Sequence, residues 1–261
     1  MGLNNSQKVL IVAILAFSSL LFFGFDYKPK NIKTLEKSRI NNLEATSIDN
    51  LLLEARKNLT SEQSTILESI KENTTSKVDS VKVEALKKYS SLWYEYGQPT
   101  ISAYFAEEVA KTEKSAASWS IAGTTYTIAM KSVEDALEKE YARNRAILAF
   151  ESAVSLEPEV VSHKINLALV NVESPPKDQP MKGILMLRDL NTAYPKDVAV
   201  MNQLARLALQ TNQIDKAIER LEAAINLESE NNVTICLLAE AYNLKGLEAK
   251  SQEFAKRCKS R

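Results

Sequence analysis

Helix-stopping residues recur along the second half of this chain at intervals close to 34. Pro158 and Pro195 lie 37 positions apart, and Ser229 follows Pro195 by 34. Each interval holds two stretches of helical apolar period with small residues at matching offsets. A pair of short helices leaves one apolar face bare, so it is stable only when the next pair leans on it. This spacing therefore selects a row of helix pairs over a single closed core. Composition supports the helical half of that statement: 261 residues contain only six glycines and seven prolines. Both residues punctuate turns, and their scarcity beside many Ala, Leu, Glu and Lys predicts an all-α fold.

The residues at those offsets are specific. Trp119, Ala122, Gly123 and Tyr126 are followed by Ala146, Phe150, Ala153 and Pro158. The small residues let two antiparallel helices approach, the aromatic residues fill the space between them, and Pro158 stops the second helix. This order resembles the tetratricopeptide repeat (TPR) family, and the chain's layout is similar, in architecture rather than in motif, to its membrane-anchored bacterial form. The resemblance implies a right-handed α-solenoid of helix hairpins.

Further units follow by stepping along the chain. One reads Met201, Leu204, Ala205 and Ala208, then Ala217, Leu221, Ala224 and Ser229, with smaller apolar groups in place of aromatics. The unit before it reads Lys164, Leu167 and Ala168, then Gly183, Leu187 and Leu190, with surplus residues in a loop at Ser174-Pro175-Pro176-Lys177. The last carries Leu238, Ala239, Tyr242 and Gly246, then a final helix through Phe254 to Cys258. A degenerate earlier unit is expected over 83–112, around Trp93, Gly97 and Phe105. Tyr126 and Ala146 are twenty residues apart, where the family has about nine. A lengthened hairpin projecting near Val133 to Tyr141 is therefore expected.

Residues 9–25 run seventeen positions without a charge. As a helix they reach about 25 Å, near the lower limit for spanning a bilayer. Lys8 and Lys28 flank the run, and no small-x-small cleavage site follows it. An uncleaved anchor is favoured over a signal peptide. The expected organisation is a short tail at 1–8, a transmembrane anchor or signal peptide at 9–25, a helical stalk or linker at 26–80, and the TPR-like domain at 81–261. Thr60 and Gln63 are placed to form a capping box within the stalk. The expected location is membrane, single-pass, in a bacterial inner membrane. Lys28, Lys30 and Lys33 favour a cytoplasmic repeat domain, whereas a short-tailed signal anchor would translocate it.

Basic and acidic residues balance at 33 each, and no long run of like charges occurs. A general nucleic-acid binder is excluded on that ground. Cys236, Cys258 and His163 are too few for a closed Cys/His zinc site. Free, mostly buried thiols are the simpler reading of the cysteines, and a disulfide across one hairpin stays open. Glu107, Glu108, Glu138 and Glu140 read as solvated helix faces, and His163 as an exposed residue opening a helix. No catalytic constellation and no cofactor motif emerge, so the chain reads as a non-enzymatic scaffold. An oligomerising envelope protein and a cleaved exported protein are the alternatives.

The resemblance also implies where a partner would lie. In this family the first helices build a concave wall that grips an extended peptide or a partner helix. Carried over by position, that wall is lined by Asn166, Asn202, Gln203, Arg206, Glu240 and Asn243. Amide and guanidinium groups suit hydrogen bonds to an extended backbone. Of the set that clamps a chaperone's terminal carboxylate, only Asn166 falls in place, while Ser120, Thr124 and Ala199 occupy other positions. A protein or peptide partner is expected, with self-association possible.

Overall fold

The computed structural model describes residues 47–258, so the expected anchor at 9–25 lies outside the described residues. The chain divides into Met1–Asn50 and Leu51–Arg261, and the second unit carries the architecture below. Described residues form α-helices and one 3-10 turn, with no strand. None of these helices is long and apolar enough to cross a membrane.

The helices are α1 (Ile48–Lys57), α2 (Ser61–Lys71), α3 (Asp79–Glu95), α4 (Pro99–Glu113), α5 (Ala116–Ser132) and α6 (Ala136–Leu156). They continue as α7 (Val161–Glu173), α8 (Lys182–Ala193), α9 (Val198–Gln210), α10 (Ile214–Leu227), α11 (Asn232–Leu244) and α12 (Glu248–Arg257). From α3 onward each helix packs on its sequence neighbours, giving five consecutive antiparallel pairs. The stretch expected as a stalk folds from Leu51 onward into the same compact unit as the repeats. Burial of Ala55, Leu67 and Ile70 holds it there. Its capping box is formed: Gln63 N donates to Thr60 Oγ1 at 3.2 Å and Thr60 N to Gln63 Oε1 at 2.9 Å.

Backbone hydrogen bonds display the repeat independently of side-chain identity. Within three hairpins the turn between helices closes the same way. The N–H groups of Gln98, Gln213 and Leu247 donate to the carbonyls of Trp93, Ala208 and Tyr242 at 2.9, 2.7 and 2.9 Å. The preceding residue is left-handed in each case, at φ +73 for Gly97, +56 for Asn212 and +78 for Gly246. Glycine or asparagine is what that conformation favours. Turns between units repeat as well: Val160, Asp197 and Asn231 donate to Glu157, Tyr194 and Glu228, each at 3.1 Å. Those donors are spaced by 37 and 34 residues, the intervals between the helix stops. The described fold is a TPR-like helical repeat.

Close helix approach sets the packing. A Cβ at Gly123 would lie 2.8 Å from the Phe150 ring, so α5 and α6 meet where the side chain is missing. At Gly183 the obstacle is the backbone of α7, with Val172 N 2.5 Å from the added Cβ. Ala122, Ala146, Ala153, Ala205, Ala217 and Ala224 are all buried, as are the larger Leu204, Leu221 and Tyr242 that fill around them. Trp119 is half-buried against Ala106, Ala110, Ala122 and Ala149. Pro158 and Gly246 sit exposed in turns.

The second pair is long: α5 has 17 residues and α6 has 21, against 13 and 14 for α9 and α10. The lengthened part does not project bare. Tyr126, Ala129, Met130 and Ala142 form one core with Ala103 of α4 and Val170 of α7, so both neighbours cover it. The tip around Glu134 to Ala136 is exposed, as are Lys131, Ser132, Lys139 and Glu140 beside it. Cys236 and Cys258 are joined as a disulfide with Cα atoms 4.9 Å apart, tying the end of α12 to α11. The free-thiol reading of this pair is therefore set aside. The spacing brings the two residues together because α11 and α12 run antiparallel.

Candidate functional site

The first helices of the pairs are α3, α5, α7, α9 and α11. On α5, Ile121, Thr124, Ile128 and Lys131 share one exposed stripe at helical spacing. Ile121 is 62% exposed and Ile128 38%. On α7, Asn166, Leu169 and Glu173 face Thr124, Ile128 and Lys131. Together with Phe150 beneath, they enclose a cleft of about 190 Å³ between consecutive first helices. Lys131 and Glu173 close one end of it with an ion pair at 2.8 Å.

Three apolar side chains line the cleft, Ile128, Phe150 and Leu169, beside two threonines, one amide, Asn166, and the Lys131–Glu173 pair. Thr124 and Thr127 donate their hydroxyl hydrogens to their own helix, at Ser120 O and Gly123 O, 2.9 and 2.8 Å away. Their oxygens remain able to accept. The Asn166 amide bonds no protein group among the described residues, so it keeps both donor and acceptor for a guest. An extended chain offers alternating N–H and C=O groups of that kind.

Other residues expected on the wall are dispersed. Gln203 is half-buried and Arg206 exposed on α9, and Glu240 and Asn243 are exposed on α11, all outside this cleft. Asn202 is not presented to a guest. It is 3% exposed, and its Oδ1 accepts from Thr234 Oγ1 at 3.0 Å. That bond joins α9 to α11, where an unpaired amide would be costly. Ile121, Ile128 and Leu169 were absent from the polar set derived by position. Their sequence signal is a seven-residue apolar spacing on α5 that the repeat pattern itself does not use.

Glu107 overturns the solvated reading. It is 3% exposed and sits between α4, α5 and α6. Its Oε2 accepts from the Tyr126 hydroxyl at 2.8 Å and from Arg145 Nε at 2.9 Å. Its Oε1 is bonded by Arg145 Nη2 and lies 3.0 Å from Lys111 Nζ. Both carboxylate oxygens are thus occupied, which makes the group a lock between helices and leaves no free base. Burial pushes the Tyr126 phenol far above its ordinary value. Burial also lowers the Arg145 guanidinium somewhat. Helix packing brings partners 19 and 38 residues away in sequence onto Glu107. Glu108 is half-buried beside Lys111 at 2.7 Å, Glu138 is half-buried and Glu140 exposed.

His163 is likewise buried, at 7% exposure, because α7 turns its first residues inward against the preceding loop. Its Nε2 lies 3.5 Å from Glu157 Oε2. Among the described residues no three His, Cys, Asp or Glu side chains gather closely enough to hold a metal ion.

No protein-family profile matches the chain, and no curated protein matches it. Solved structures similar to it include a fragment of MamA from Desulfovibrio magneticus RS-1, at 18% identity over 67% of this chain and 92% of that one, with a TM-score of 0.40. A crystal structure of MamA gives 18% identity over 65% and 91%, at a TM-score of 0.41. YrrB, described as a TPR protein with an unusual peptide-binding site, gives 15% identity over 73% and 89%, at 0.37.

Proposed function

We propose that the chain is a non-catalytic, membrane-tethered scaffold that grips an extended peptide segment of a protein partner in the cleft between α5 and α7. The exposed Ile128 beside an uncommitted Asn166 carries this reading. Apolar guest side chains cover Ile128 and Leu169, while the guest backbone bonds to Asn166 and to the threonine oxygens. Covering these two side chains contributes about 1 kcal/mol before the cost of ordering the guest.

The tether rests on the uncharged run at 9–25. The Cys236–Cys258 disulfide favours a repeat domain on the oxidising side of that membrane, since thiols stay reduced in the cytosol. It weighs against the cytoplasmic arrangement that Lys28, Lys30 and Lys33 favour.

Photo-crosslinking from intact membranes tests the site. A crosslinker at Ile128 is expected to capture one dominant partner, and the same group at Leu227 on α10 to capture none. Leu169→Asp with Asn166→Ala should abolish that capture. Equal capture from both positions, or capture that survives the double change, would refute the cleft. Alkylation of thiols in unbroken cells tests the compartment: labelling at Cys236 without a reductant would place the domain on the reducing side.

A further inference from the structure

A second cleft, of about 520 Å³, opens between α8 and α10, with α9 as its floor. Ile184, Leu204, Leu207 and Ala208 make that floor, and Met181 overhangs one end at 52% exposure. Arg188 stands on the α8 rim, and Lys216 and Arg220 on the α10 rim. Ten residues line the cleft and none is acidic, in a chain whose acids and bases balance at 33 each.

The three cations have no carboxylate partner among the described residues. Lys216 Nζ donates to Gln213 Oε1 at 2.9 Å, Arg220 Nη1 reaches the Lys216 carbonyl at 3.5 Å, and Arg188 makes no side-chain bond. Acids nearby are engaged or turned away. Asp215 pairs with Lys245 at 2.7 Å, and Asp189 and Glu219 line no part of the cleft. Two other clefts pair their cations: Lys131 has Glu173, and Lys87 has Glu113 at 2.6 Å.

We propose that this cleft docks an acidic amphipathic helix of a protein partner. Lys216 and Arg220 stand one helical turn apart, about 6 Å along the axis, so carboxylates one turn apart on a bound helix meet both. Arg188 meets a third from the opposite rim. The apolar face of the guest enters toward Ile184 and Leu207, and Met181 adapts to its shape. A flat bilayer does not satisfy this arrangement, because Leu204 and Ala208, 6% and 5% exposed, are recessed beneath the rim. The surface is separate from the α5–α7 cleft and does not depend on it.

Fluorescence anisotropy on the full chain in zwitterionic nanodiscs tests the proposal, with empty discs as blank. The probe is a labelled synthetic amphipathic helix with leucine on one face and glutamate on the other. Its binding is expected to weaken steeply with salt. Binding is also expected to fall at least tenfold in R188E/R220E, whose helicity is checked by circular dichroism. That variant should gain affinity for the lysine counterpart of the probe, which a merely unfolded chain would not do. Absence of binding, or equal binding of the glutamate and lysine probes, would overturn the assignment. So would displacement by laurate more readily than by unlabelled peptide, which would give the cleft to a lipid carboxylate. Loss of probe binding on Ile128→Asp with none on R188E/R220E would move the guest to the α5–α7 cleft instead.

Discussion

The pairs α5–α6 and α11–α12 follow one plan and are held by different means. In α5–α6, 17- and 21-residue helices enclose Tyr126, Met130 and Phe150, and Glu107 bolts them to α4 through Arg145. In α11–α12 the second helix has 10 residues and buries none of them. It is held by the half-buried Phe254, by Ser251 Oγ donating to Ala239 O at 3.0 Å, by Arg257 donating to Ser229 O at 2.7 Å, and by the disulfide. A helix with neighbours on both sides recovers enough apolar burial to need no covalent tie. One that packs chiefly on a single neighbour does not. Burial and crosslinking are interchangeable ways of closing a repeat.

The largest test of that contrast is Glu107→Ala. Removing one partner of a buried ion pair leaves Arg145 without its carboxylate and the Tyr126 hydroxyl without one of its partners, and should cost about 3 kcal/mol, the low end of the usual range. Arg145 is 30% exposed and recovers some water. The loss is expected as a lower denaturant midpoint for protection of α4 to α6 in hydrogen exchange. Cys258→Ser opens a link across 22 residues and is expected to remove about 3 kcal/mol at most. Its effect should be confined to α12, whose amides lose protection while α5–α6 keep theirs. Loss of protection throughout the row would show that the last pair supports the others and would break the comparison.

Gly123→Ala is expected to cost about 2 kcal/mol by overpacking against Phe150, read as a fall in Tm. A neutral result would mean that the ring yields. Asp197→Ala removes the cap whose Oδ1 accepts from Val200 N at 2.9 Å, and should cost about 1 kcal/mol. Its effect should centre on α9 and leave both compared pairs intact. Alkaline titration gives the smallest effect. Tyr126 and Tyr242 have phenols raised above the ordinary 10.0, by burial first and for Tyr242 also by its bond to Glu222. The unfolded chain then loses protons that the folded chain keeps, so stability is full below pH 10 and falls as pH rises above it. Tyr126→Phe should flatten that decline in the α5–α6 region alone, followed by fluorescence of Trp93 and Trp119.

Much of the helical framework could be read in the sequence, because turn chemistry and small-residue spacing are local. Asn212 and Gly246 sit where the left-handed turn requires them, 34 residues apart. What escaped was whatever depends on distant partners. Glu107 has Glu108 beside it and Lys111 one turn on, the pattern of a solvated face. Nothing within its own helix announces Tyr126 or Arg145. Asn202 escaped for the same reason, its partner Thr234 being 32 residues away. At the candidate site the reverse happened. Position within the repeat pointed to polar groups, and the apolar lining of the cleft, Ile128 and Leu169, is no part of that set.

The disulfide has a mechanical meaning as well. A pull on the chain beyond Cys258 does not run back through α12 and its turn. It passes directly across the sulfur bridge into the middle of α11, at Cys236. The helix that buries none of its residues is thereby taken out of the line of tension, and a pull from that side would strain the contacts of α9 to α11 first. Under reducing conditions the same pull would unravel α12 before anything else gave way.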